Sequence, residues 1–156
     1  KSFKANSELK AKYFFKKSKV FTISDDSGLC VDCLDGQPGI YSARWAKKYG
    51  DFNKAGRKII ELVKNKNKNK KLKNTKARFI CSLTFCYNEK KKITVSGIIE
   101  GKISKKLVGK NGFGYDPIFI PKGRKITFGQ MGKKEKISTD HRFIAFKKLK
   151  RKVNIL

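Results

Sequence analysis

SDDSGLCVDCLDGQPGIYSARW, residues 24 to 45, crowds carboxylates, glycines and a guanidinium around the mouth of what reads as a strand. The run Val20-Phe21-Thr22-Ile23 before it is β-branched and aromatic, the composition of a buried strand, and Asp25-Asp26-Ser27-Gly28 is expected to end that strand abruptly. Two neighbouring carboxylates repel unless a cation or a hydrogen-bond network compensates them. A hard divalent ion such as Mg²⁺ suits the place, because it takes one or two carboxylates plus substrate phosphates. An ordinary Asp/Ser/Gly turn is the other reading of these four residues. Working outward, Leu29, Val31 and Leu34 suggest a second strand, Asp35-Gly36 a turn, and Pro38-Gly39 a further break before Ile40 to Arg44.

The stretch resembles the signature of the inosine triphosphate pyrophosphatases, the family that acts on noncanonical purine triphosphates. Its pattern DDSGLxVDxLxGxPGIYSAR is met at every specified position from Asp25 to Arg44. Further family-like pieces follow in the same order: NSELKA at 6–11, ARFIC at 77–81, GFGYDPIF at 112–119, and His141-Arg142. The resemblance implies an α/β fold with a mixed, bent β-sheet flanked by helices, and two lobes around a central nucleotide-binding cleft. It also implies a homodimer that hydrolyses ITP, dITP or XTP to the monophosphate and pyrophosphate with Mg²⁺. Asp26 is then the catalytic carboxylate and metal ligand, and Asp25 a second metal ligand. Lys10, Ser27 and Lys136 face phosphate or base, and Phe113, Gly114, Tyr115, Asp116, His141 and Arg142 complete the substrate-binding set. Ala5 stands where a Glu is usual, Gln130 where an acidic residue is common, and Asp140 where Ser usually precedes His-Arg. The family's opening strand, phosphate loop and metal-binding Glu would lie upstream of Lys1, so the resemblance implies a chain truncated at its N-terminus.

Length and composition agree with one domain over 1–156, large enough to bury its apolar side chains without disulfides or a structural metal. The formal charge of +28 comes almost wholly from lysine, 34 Lys against 6 Arg. It reads first as a solvated coat, with weak, non-specific nucleic-acid binding as its consequence. A small basic nucleic-acid-binding module without catalysis is the alternative from another class, and an NTPase of different base preference is a third. Cys30 and Cys33 have C-x-x-C spacing, but Cys81 and Cys86 lie five apart inside an apolar run, unlike a zinc pair. All four are expected reduced. No apolar run is long enough to span a membrane and no signal peptide is seen, which implies the cytoplasm.

Along the chain, 7–18 is expected to be a helix with Leu9, Tyr13 and Phe14 on its apolar face, and 52–64 a helix with Ile59, Ile60 and Val63 inward. NKNKNKKLKNTK at 65–76 reads as an exposed, self-repelling loop. A hairpin of 78–87 and 93–100 should follow, then a glycine-rich loop at 109–117, a short strand at 118–120, a short helix within 127–136 and a helix over 141–152 carrying Ile144, Phe146 and Leu149. Phe113 between glycines suits base stacking or the core. Asp116 before Pro117 suits a hydrogen bond to the base or a local cap. Arg142 can donate to a purine 6-keto oxygen but finds no acceptor in adenine's 6-amino group; capping the last helix is the other role open to the His141-Arg142 pair.

Overall fold

The computed structural model describes residues 2–154, so the extreme ends of the expected domain lie outside the described residues. Among the described residues five α-helices and four strands follow in the order α1 Phe3–Ser18, β1 Thr22–Val31, α2 Ser42–Tyr49, α3 Phe52–Lys66, β2 Lys76–Cys86, β3 Lys92–Ile103, β4 Phe119–Pro121, α4 Lys133–Thr139 and α5 His141–Val153. The strands form one sheet in the order β1-β2-β3-β4, each beside its neighbour in sequence. The fold is therefore α/β, with an antiparallel sheet flanked by helices. Two compact units divide the chain, one of residues 1–27, 80–98 and 140–156, the other of 28–79 and 99–139. β1, β2 and β3 each give residues to both units.

In the first unit, α1 starts where the Ser2 hydroxyl accepts the Ala5 N–H at 3.1 Å and stops at Lys19, whose φ of 58° lets its N–H reach the Phe15 carbonyl. Its buried residues are Ser7, Ala11 and Phe15, one per turn; Leu9, Tyr13 and Phe14 are exposed, against expectation. The reason lies in the strand surface it meets. β2 presents Ser82 and Thr84 there, and the buried Ser7 hydroxyl sits 3.2 and 2.8 Å from theirs. A hydroxyl ladder satisfied within the core selects the small polar face of the helix over its apolar one. On the other sheet face Cys81, Leu83 and Val95 pack with Ala145 and Leu149 of α5. Phe146 of that helix points to solvent, a second correction, and His141, Ala145 and Leu149 are the buried positions. Gly97 in β3 makes this approach possible: a Cβ there would lie 2.0 Å from the His141 carbonyl oxygen and 2.5 Å from the Ala145 nitrogen.

β1 corrects the reading of its own sequence. It begins at Thr22 and runs without a break through Asp25, Asp26 and Ser27 to Val31, while Val20, Phe21 and Ile23 are exposed. The aspartates thus sit mid-strand, and Leu34 lies in a 3-10 turn over Asp32–Leu34 instead of a second strand.

In the second unit, Leu29, Val31, Ile59, Phe79, Ile118, Phe119 and Phe128 belong to one buried cluster. α2 was not foreseen. α3 is capped by Asp51, whose carboxylate accepts the Lys54 N–H at 2.7 Å, and buries Ala55, Gly56, Ile59 and Val63. The lysine-rich run is exposed as expected, yet its stem is fastened: buried Asn67 donates to the carbonyls of Val63 (2.7 Å) and Asn74 (2.9 Å) and accepts the Asn74 N–H (2.7 Å). β4 pairs antiparallel with the end of β3, Gly101 opposite Pro121 and Ile103 opposite Phe119. Among the described residues no helix is long and apolar enough to cross a membrane.

Candidate active site

The first unit gathers Lys10, Asp25, Asp26, Ser27, His141 and Arg142. Successive side chains of a strand point to opposite faces, so the two neighbouring carboxylates of β1 part company. Asp26 turns towards α1, as does Ser24, whose hydroxyl donates to the Ser7 carbonyl at 2.5 Å. There Asp26 accepts Asn6 Nδ2 at 3.1 Å on one oxygen and Lys10 Nζ at 3.0 Å on the other. The Lys10 ammonium also donates to the Asp25 carbonyl. α1 holds both partners by its own periodicity, because Asn6 and Lys10 are one turn apart.

Asp25 turns the other way. Its Oδ2 accepts the Ser27 hydroxyl at 2.8 Å and lies 3.6 Å from Arg142 Nε at the start of α5. Asp140 caps that helix, accepting the Arg142 N–H at 2.6 Å and standing 3.2 Å from His141 Nδ1. His141 is buried, and its Nε2 lies 3.4 Å from an Arg142 terminal nitrogen. The compensation expected of the carboxylate pair is therefore supplied separately to each member, by Lys10 and Asn6 on one face and by Arg142 and Ser27 on the other.

This separation bears on which residues can hold a divalent ion. Asp26 offers hard carboxylate oxygens with the side chain 19% exposed, and one such ligand together with substrate phosphates suits Mg²⁺. Asp25, expected as a second metal ligand, has its carboxylate at Ser27 and Arg142. Among the described residues no group of three or more His, Cys, Asp or Glu is placed to hold a metal.

The second unit carries the glycine-rich loop and Lys136. Phe113 is 67% exposed and meets the edge of Phe52 at 5.1 Å between ring centres. With Asp51, Asn53, Lys110 and Asn111 the two rings line a pocket of about 320 Å³. Asp116 is buried beneath the loop; its carboxylate accepts the Phe113 N–H at 2.5 Å and pairs with Lys136 Nζ at 3.1 Å. Gly112 supplies the turn, with φ of 81° and a hypothetical Cβ only 2.1 Å from Asp116 Oδ2. Gly114, at φ 67°, has only the Phe52 ring edge near its own. Tyr115 is a core residue whose hydroxyl donates to the Ser42 carbonyl at 3.0 Å, and burial, then the neighbouring Tyr49, pushes its phenol well above the ordinary range.

Three positions near these groups carried little sequence signal. Gly97 could have been found as a lone glycine inside a β-branched run, the mark of close backbone approach. Cys81 lies beside the Asp25 face: burial pushes its thiol up to about 11, with the Ser27 hydroxyl acting against the rise and the Asp25 charge adding to it. Cys30 and Cys33 are likewise raised by burial, and all four cysteines are free. Phe52 gave no sign of partnering Phe113.

The Ham1 family's sequence profile matches residues 1–152. The dITP/XTP pyrophosphatase of Zymomonas mobilis subsp. mobilis is 38% identical over 148 residues, covering 95% of this chain and 69% of that protein. The dITP/XTP pyrophosphatase of Clostridium tetani is 40% identical over 135 residues, covering 86% and 64%. The structure of a HAM1 protein from Coxiella burnetii superposes with a TM-score of 0.90 at 29% identity, covering 99% of this chain and 78% of that one. The chain thus spans about two thirds of the length of these curated relatives, and the profile follows it through both units; it belongs to the Ham1 family.

Proposed function

We propose that this chain hydrolyses purine nucleoside triphosphates of the ITP, dITP and XTP kind to the monophosphate and pyrophosphate. The observation that carries the reading is Asp26, held mid-strand by an amide on one oxygen and an ammonium on the other. The relatives named dITP/XTP pyrophosphatase supply the substrate class. Water attacks the α-phosphorus, its proton passes to Asp26, and the bond from the α-phosphorus to the bridging oxygen breaks, so that pyrophosphate leaves with the electron pair. Asn6 fixes the carboxylate plane. The Lys10 ammonium, on a flexible four-carbon stem, turns from Asp26 to a phosphate oxygen when substrate enters. Asp26 would hold Mg²⁺, which when bound neutralises phosphate charge and stabilises the leaving pyrophosphate. The Ser27 hydroxyl, which donates to Asp25 before substrate enters, would turn to a phosphate oxygen.

Phe113 offers an exposed ring on which a purine stacks, a contact worth about 1 to 3 kcal/mol. Asp116 and Lys136 act from beneath, pinning the loop that carries the ring, and Gly114 lets its backbone come close to the base. Arg142 donates to the 6-keto oxygen. With adenine that donor, once the bound base covers it, is left without an acceptor, at a cost of about 1 to 3 kcal/mol. A homodimer acting in the cytoplasm completes the proposal.

The test is a panel of triphosphates assayed for pyrophosphate release with Mg²⁺ and with EDTA, alongside light scattering for subunit number. ITP and XTP should outrun ATP, and EDTA should stop the reaction. Release of orthophosphate, or equal rates on all bases, would refute the reading.

A further inference from the structure

We infer that Asp25 is a positioning residue for Arg142, and through it for base selection, while the metal and phosphate chemistry rests with Asp26. The inference rests on the activity proposed above and adds a division of labour to it. A pair of consecutive aspartates in such a site invites the assumption that both serve the same ion. Strand geometry separates their partners here, since the two side chains leave β1 on opposite faces and meet different helices.

The contacts on the Asp25 face form a short chain. Ser27 donates to Asp25 Oδ2 at 2.8 Å, and that oxygen lies 3.6 Å from Arg142 Nε. One terminal nitrogen of Arg142 stands 3.4 Å from His141 Nε2. The guanidinium is thereby bracketed on two edges. The backbone beneath it is fixed as well, because Asp140 caps the helix and Gly97 seats the His141 carbonyl on β3.

An arginine side chain has several rotatable bonds, and aiming it at a ligand costs entropy unless a neighbour has already restricted it. Asp25 is placed to supply that restriction. The Arg142 side chain is 46% exposed, so without a partner it would sample solvent freely. Removing Asp25 should therefore cost discrimination. A purine with a 6-keto group loses the pre-aimed donor, whereas an adenine nucleotide, which has no acceptor for it, loses little.

The experiment compares wild type, Asp25→Asn, Arg142→Ala and the double variant. Three quantities are read: kcat/KM for ITP and for ATP, the Mg²⁺ concentration giving half-maximal rate, and calorimetric binding of IMP and AMP without turnover. In Asp25→Asn the ITP to ATP ratio should fall about 2- to 5-fold, the range expected for a half-exposed charge pair acting on one donor. The loss should appear in KM for ITP and in IMP affinity. The Mg²⁺ requirement should stay within twofold of wild type, and adding Asp25→Asn to Arg142→Ala should change the ratio no further. A Mg²⁺ requirement raised tenfold would overturn the inference and return Asp25 to the metal shell. An unchanged ratio, or fully additive losses in the double variant, would overturn it equally. Wild-type protein that neither binds IMP nor hydrolyses ITP would instead strike the proposed activity itself, so the two failures are distinct.

Discussion

Gly112→Ala is the substitution whose cost can be worked most fully from the structure. An added Cβ would stand 2.1 Å from Asp116 Oδ2, and the backbone there has φ of 81°. The left-handed conformation alone costs an alanine about 1 to 2 kcal/mol. The clash adds more, because the carboxylate cannot swing aside freely: it accepts the Phe113 N–H at 2.5 Å and pairs with Lys136 at 3.1 Å, with the two side chains only 3% and 15% exposed. Breaking a buried pair costs about 3 to 5 kcal/mol, and partial relaxation of the loop offsets some of it, so about 3 to 6 kcal/mol in total is expected. For a chain of this size, with about 2 to 4 °C per kcal/mol, thermal unfolding should shift down by roughly 10 °C or more. Gly123→Ala is the internal control. Its φ is 79° but no atom lies within 4 Å of the hypothetical Cβ, so it isolates the backbone term. Scanning calorimetry of both variants decides the matter: equal Tm shifts would show that the Asp116 carboxylate is not held as described.

Three further outcomes are expected. Asp26→Asn keeps shape and forfeits a half-exposed ion pair worth at most about 1 kcal/mol, so Tm should move by less than about 4 °C while kcat on ITP falls by about 10²- to 10⁴-fold; normal turnover in that variant would remove Asp26 from the reaction. With the buried Cys81 thiol raised to about 11, the native state keeps a proton that the unfolded chain loses near pH 8.5, so this thiol's contribution to stability is level below that pH and declines as pH rises towards 11. Urea midpoints at pH 7.5 and 10 should show this fall, smaller in Cys81→Ala, and an identical fall in both proteins would contradict the assignment. Duplex DNA should bind weakly and without sequence preference, and changing Lys68, Lys70, Lys71 and Lys73 together to Gln should flatten the plot of log affinity against log salt by about 3.6 if all four reach phosphates; a sequence-specific complex that survives high salt would favour a dedicated nucleic-acid module.

The hairpin of β2 and β3, α3 and α5 were legible because their apolar residues recur with the period of the element that contains them. Failure came where side chains other than apolar ones decided the packing. Leu9, Tyr13 and Phe14 promised the inner face of α1, and a hydroxyl ladder from Ser7 to Ser82 and Thr84 took that place. Asp25-Asp26-Ser27 looked like the end of a strand because polar residues seldom fill one, yet both faces of β1 there find charged and hydroxyl partners. The family signature brought these residues to attention, but a linear motif does not encode on which face of a strand each member stands. Nor could it show that Tyr115, inside the same glycine-rich motif as Phe113, turns inward to Ser42 while its neighbour faces water.

The make-up of the first unit sets an order of events during synthesis. Its residues come from three stretches far apart in the chain, 1–27, 80–98 and 140–156, and the last of these contains α5. Cys81, Leu83 and Val95 have no cover until that helix leaves the ribosome, and Arg142 cannot meet Asp25 before then. At about 5 to 20 residues per second the nascent chain therefore carries one open sheet face for some seconds after β1, β2 and β3 are complete. Contacts of such long sequence separation also slow refolding, since the loops between them must close first. The lysine coat, by keeping unfinished chains apart through charge repulsion, acts during that interval as a solubility device.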